Sequence, residues 1–160
     1  MLTGVCTSVF GAYRLSTLEP ADVVRAVTDG VSRLVAGGLD DDEREQLLDE
    51  LAALYADTTD VRHPFAPDGP EPLCTRVQLR AHFAAAPARL AGLERFEPTA
   101  FVVHQTTDPE VVVVEFRYTG VVVGKPFDIP NIFVVRVRGG EIIESRDYAD
   151  HVAFARAFGD

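Results

Sequence analysis

Cysteine is nearly absent from this chain of 160 residues. Cys6 and Cys74 lie far apart and in no CxxC pair, which excludes a disulfide scaffold and makes reduced thiols in the cytoplasm the expected state. Long apolar runs are missing as well. None approaches the roughly 20 residues that cross a bilayer. Met1 to Tyr13 is mildly apolar but lacks the cationic start of a signal peptide. Positive charge is scarce: 15 basic residues against 25 acidic ones leave a net charge of −10. That field repels phosphate backbones and anionic lipid, so neither nucleic acid nor a membrane surface is an expected partner. GxSxG, GxGxxG and P-loop motifs are all missing, which argues against a serine-hydrolase elbow and against nucleotide binding. His63, His82, His104 and His151 include no pair at i,i+4 or HxH spacing, so no metal site is expected.

What the chain does have is enough apolar residue, 47%, to fill one core. No repeat or linker divides it. The pattern predicts an N-terminal extension over residues 1–18 and one domain over 19–160. Glu19-Pro20 opens a helix whose stripe is Val23, Val24, Val27, Val31, Leu34 and Val35, ended by Gly37-Gly38. The aspartates 40–42 suit the start of a second helix, with Leu47, Leu48, Leu51, Leu54 and Tyr55 as its apolar face. Prolines 64, 67, 70 and 72 break the chain, and a third helix is expected over Thr75–Ala86, with Val77, Leu79 and Phe83 apolar. Beyond residue 93 the period becomes that of strands: Thr99–Thr106, Val111–Val123, Ile132–Arg138 and Glu141–Tyr148, punctuated by Asp108-Pro109 and Gly139-Gly140. Asp150 reads as the N-cap of a last helix, His151–Phe158. Helices first and strands afterwards predict an α+β fold, with the helices on a curved antiparallel sheet.

Alternation along the last two strands separates their faces. Asn131, Phe133, Val135 and Val137 share one face, opposite Arg136 and Arg138; Ile143, Ser145 and Asp147 share one opposite Glu144, Arg146 and Tyr148. The less charged faces should turn to the helices. Asp147 then ends an inward row on apolar ground, where an ionised carboxylate must be paired, hydrogen-bonded or partly protonated. One reading makes it a strand-end acid held by backbone N–H groups near Asp150, the other a tuned functional group. Elsewhere the plain readings serve. Glu115 and Arg117 suit cross-strand ion pairing, with Arg136 as a partner; His104 is a sheet surface residue, His151 a first-turn surface residue, and Cys74 a spare thiol.

Several motifs stand in a familiar order: Leu54-Tyr55-Ala56-Asp57, Thr107-Asp108-Pro109 with Glu115, then Gly140-Glu141-Ile142-Ile143, Arg146-Asp147-Tyr148 and the last helix. Over roughly residues 41 to 158 the chain resembles the nuclear-transport-factor-2-like superfamily, especially its SnoaL-like branch of polyketide cyclases, ketosteroid isomerases and phenazine-biosynthesis A/B proteins. The resemblance implies a cone-shaped (cystatin-like) α+β fold around an apolar cavity, commonly in a homodimer packed through the outer sheet face. Asp147 matches the acid/base of the SnoaL-type cyclases, and His82 matches the helix histidine that partners the equivalent glutamate in the phenazine proteins. Asn131 also follows the phenazine pattern. An arginine and a tyrosine of that site have Glu50 and Ile129 in their places, and His63-Pro64 stands where the steroid isomerases carry their base aspartate.

Together these imply cofactor-independent acid/base chemistry on a small apolar carbonyl compound, by isomerisation, cyclisation or condensation. The alternative is a ligand-binding or structural protein of the same fold. Asp147 and His82 are the expected catalytic pair. Asn131, Phe133, Val135, Ile143 and His63 are expected to line the ligand site.

Overall fold

Pro20 occupies the first turn of α1 (Pro20–Ala36), where its missing N–H costs nothing, and Gly37, at φ 76°, ends it. Asp40 caps α2 (Asp41–Ala53) through a reciprocal box with Glu43, whose N–H donates to Asp40 Oδ1 at 2.8 Å. This computed structural model describes residues 18–159. The expected N-terminal extension therefore lies, but for Leu18, outside the described residues. No described helix is long and apolar enough to cross a membrane.

The second helix stops at Ala53, earlier than its apolar face suggests. Leu54 is its C-cap, and Tyr55 opens a strand, β1 (Tyr55–Arg62), that the sequence pattern did not reveal. Polar residues dominate β1, so alternation is faint there. A three-residue strand, β2 (Leu73–Thr75), follows the prolines. Thr75 then caps α3 (Arg76–Ala84), with Gln78 completing a second capping box. Helix α3 buries Leu79 and Phe83, whereas Val77, expected on its apolar face, is 78% exposed. A single turn, α4 (Ala86–Arg89), leads to the long strands β3 (Leu93–Gln105), β4 (Val111–Val122), β5 (Lys125–Arg138) and β6 (Glu141–Ala149). Asp150 caps α5 (His151–Phe158), accepting from Ala153 N at 2.9 Å.

Strand β5 begins seven residues before the expected Ile132, in spite of Pro126 and Pro130. Its pairing with β6 ends at Asn131↔Ala149, so the prolines fall where that side has no neighbouring ladder. The sheet order is β2-β1-β6-β5-β4-β3, with the helices on the concave side. One pairing departs from the antiparallel expectation: β1 runs parallel to β6, with Val61↔Ser145 and Arg62↔Arg146 in register. Curvature comes from bulges. In β3 an extra residue separates Thr99↔Arg117 from Val102↔Glu115, with Ala100 at φ 53°. Nearby, a Cβ on Gly120 would meet Arg95 O at 1.8 Å, so β3 and β4 cross closely only because that position has no side chain.

The convex face carries the charge. Glu115 pairs with His104 at 2.7 Å and Arg117 with Asp128 at 2.5 Å, while Arg136 binds Asp108 at 2.7 Å. Cross-strand ion pairing is thus the fate of Glu115 and Arg117, with partners other than Arg136.

Candidate active site

Asp147 lies opposite Phe133 across the β5–β6 ladder, with Asn131 opposite Ala149 beyond it. All four line a cavity of about 500 Å³ between the sheet, α1, α3, α4 and α5. The parallel β1–β6 register adds a further group. One step past Arg62↔Arg146, His63 arrives beside Asp147, and its Nε2 stands 3.7 Å from Asp147 Oδ2. His82, on the last turn of α3, stacks on His63 with ring centres 5.4 Å apart. The imidazole that faces Asp147 is therefore His63, and His82 sits behind it.

Not every residue expected at the site reaches the cavity. Asn131 is buried there, its amide N–H donating to Ile129 O at 2.8 Å, a bond that fixes its orientation. Val135 is buried in the core deeper along β5, outside the cavity wall. Ile143 is absent from the wall because β6 bulges there: Arg136 pairs with Glu144 but Val137 with Ile142, so Ile142 takes the inward, buried position.

The wall also holds groups that sequence reasoning did not assign to it. Tyr55 and Tyr118 are buried in it, from β1 and β4. His151 was expected at the surface, but α5 folds back over the cavity and turns it inward. Its Nε2 is buried without a hydrogen-bond partner among the described residues. Arg89 joins them from the end of α4. The inward parity of Tyr118 in β4 was a readable signal, and Tyr55 stood on the apolar face expected for the second helix; for His151 and Arg89 no local pattern pointed inward.

Burial decides the electrostatics. With 13% of its side chain exposed, the Asp147 carboxyl is pushed up from an ordinary 3.8 to about 7 by loss of water. Against that shift work a hydrogen bond from the Ser145 hydroxyl to Oδ1 and the charge of Arg146 on the other face. His82 is pulled down to about 4, by burial first and then by the charges of Arg89 and His63. Burial and Arg89 lower His63 too. A protonated His82, which would have opposed the rise of Asp147, is thus absent near neutrality. Burial, then the charge of Asp147, holds both tyrosines above their usual range, so they remain hydrogen-bond donors. Ser145→Ala is expected to move the Asp147 titration higher still, read as a higher pH midpoint for the loss of its protonated-carboxyl band in infrared difference spectra.

The wall can thus hold an apolar molecule against one carboxyl that titrates near neutral pH, three imidazoles whose proton affinity is lowered, two phenols and the Arg89 guanidinium. Comparison with known proteins adds the lineage. The family model for the SnoaL-like domain matches residues 41–145. The chain belongs to the SnoaL-like domain family. No curated protein matches it by sequence. Among solved structures it is similar to a candidate isomerase from Bacillus subtilis, 22% identical, with a TM-score of 0.63 over 86% of this chain and 96% of that one. A Catenulispora acidiphila protein with a ketosteroid isomerase-like fold, in complex with trimethylamine, is 21% identical, with a TM-score of 0.62 over 86% and 92%. A candidate polyketide cyclase from Pseudomonas putida is 12% identical, with a TM-score of 0.63 over 88% and 98%. At these identities the likeness is one of fold, that of the nuclear-transport-factor-2-like cone. Different chemistries share such a fold, so the activity of this SnoaL-like chain has to be argued from its own cavity.

Proposed function

We propose that this chain is a cofactor-independent enzyme that moves protons on a small, mainly apolar carbonyl compound, in an isomerisation, cyclisation or condensation. The observation that carries the reading is the Asp147 carboxyl, held near 7 in an apolar wall and facing a neutral His63 at 3.7 Å. A general base works best when its pKa lies near the operating pH, since it is then both available and strong enough. In its ionised form Asp147 takes the proton from the carbon next to the carbonyl. Tyr55 or Tyr118, protonated at neutral pH, donates to the enolate oxygen that develops. The protonated Asp147 then returns the proton to another atom of the ligand, or the enolate closes on a second carbonyl. His63 orients the carboxyl, and His82 braces His63 by stacking.

Proton exchange on model ketones tests this without the natural substrate. Protein in heavy water is incubated with a panel of enolisable aryl ketones, and loss of the α-proton signals is followed by NMR. Wild-type protein is expected to accelerate exchange on at least one ketone. Ketones that bind in the cavity yet exchange at the buffer rate would replace this reading with a binding protein that has no turnover.

The same reading includes a homodimer working in the cytoplasm. Val102 and Ile132, 50% and 43% exposed on the convex face, leave apolar surface in water that a second copy would cover. Light scattering at micromolar concentration is expected to give twice the 17.4 kDa chain mass. A monomer would refute the dimer.

A further inference from the structure

Arg89 lines the cavity without an acidic partner. Many arginines of this acidic chain sit on carboxylates, as Arg76 does on Glu141 at 2.8 Å and Arg80 on Asp49 at 2.7 Å. Arg25, which lies over the Phe101 ring, Arg33 and Arg156 have none in range among the described residues, but these three do not line the cavity. Among the described residues no carboxylate lies within salt-bridge range of Arg89, and its Nη2 donates to the main-chain carbonyl of His82 at 3.1 Å. Although Arg89 keeps much of its surface in solvent, its partial burial lowers its proton affinity. Arg89 is itself exposed at the cavity rim, so its guanidinium is partly solvated and open to a ligand anion entering from solvent.

Position says which part of the ligand meets it. Arg89 touches the His82 backbone, His82 stacks on His63, and His63 faces Asp147. The two histidines thus link Arg89 to Asp147 along the cavity wall. We infer that the ligand carries a single carboxylate seated on Arg89, with its enolisable carbon beyond the imidazoles against Asp147. One guanidinium matches one monoanion through its two-pronged fork. A phosphate dianion would leave an unbalanced charge in a wall that already holds Asp147, on a chain of net charge −10. The carboxylate would also cancel the field that Arg89 exerts on His63 and His82, so binding raises the proton affinity of both imidazoles, whose other charged or titratable neighbours are Asp147 and His151.

The inference rests on the cavity being the ligand site of the proposed enzyme, and its test is separable from that of turnover. 1-Naphthoate, 1-naphthamide and 1-naphthyl phosphate are titrated into the full chain by calorimetry at neutral pH. Wild type is expected to bind the carboxylate about 2- to 5-fold more tightly than the amide, the range of a solvent-exposed ion pair. Arg89→Gln should level the two while leaving amide affinity unchanged, which shows the cavity intact, and Arg89→Lys should keep part of the preference. Imidazole resonances of His63 and His82 should titrate at higher pH in the naphthoate complex but not in the naphthamide complex. No carboxylate preference in wild type, including failure of both ligands to bind, overturns the inference. So does a preference that survives Arg89→Gln, or tighter binding of the phosphate. Ketone exchange without a carboxylate preference rejects this inference alone; a carboxylate preference without exchange rejects only the proposed turnover.

Discussion

Replacing Asp147 with asparagine is expected to lower catalysed α-proton exchange by roughly two to four orders of magnitude, the usual contribution of a positioned general base. Asparagine keeps the shape and can still accept from the Ser145 hydroxyl, but it cannot take a proton. Ligand affinity should therefore change little. Because Asp147 gains its charge around pH 7, wild-type kcat/KM should rise with pH through that region, and the variant should lose the inflection. His63→Ala is expected to slow exchange too, since its Nε2 stands 3.7 Å from the carboxylate. His82→Ala should cost less, because it acts through the stack on His63. Combining Asp147→Asn with His63→Ala should cost less than the sum of the two if they work as a unit. Wild-type exchange rates in the Asp147→Asn protein would remove this residue from the mechanism.

The same substitution should reshape stability against pH. In the folded chain Asp147 binds its proton more tightly, at about 7, than an ordinary carboxyl at 3.8. Between those values the folded state holds more protons than the unfolded one, so this group's stabilising contribution is complete below 3.8 and is lost as pH rises to 7. About three units correspond to about 4 kcal/mol as an upper bound. His82 acts in the opposite sense. Its folded value of about 4 lies below the ordinary 6.5, so its contribution is present above 6.5 and disappears as pH falls towards 4. Across the overlap the two slopes oppose, and wild type should show a shallow profile. Asp147→Asn removes the falling limb: its stability relative to wild type should climb from about pH 4 to about pH 7 by up to about 4 kcal/mol. Urea unfolding at a series of pH values measures this directly. Parallel profiles for the two proteins would mean that Asp147 is not held protonated by burial.

These expectations began in strand parity. The alternation of Ser145 and Asp147 against Glu144 and Arg146 was enough to turn Asp147 to the concave side, because charge on one face of a strand leaves the other for the core. Val135 and Ile143 show where parity stops being sufficient. The first lies on the right face but too deep, and the second is displaced by a bulge whose extra residue leaves no mark in a period-two pattern. Tyr55 reads equally well as the last apolar residue of a helix or the first of a strand, and only the C-cap at Leu54 decides it.

By itself, the amino-acid sequence determined that α1, α2 and α3 precede the four long strands, the capped starts of α2 and α5, the inward row that ends in Asp147, and the family to which these motifs belong. Each of these is local: a cap, a turn or a periodicity is complete within a few residues. The tertiary structure alone decided that β1 lies parallel to β6, which brings His63 rather than His82 to Asp147, and that α5 closes over the cavity with His151 inward. A parallel pairing joins segments far apart in the chain, here Val61 with Ser145, and no periodicity within either one encodes its partner. The proton affinity of Asp147 is decided in the same way, because desolvation is the sum of everything packed around a carboxyl.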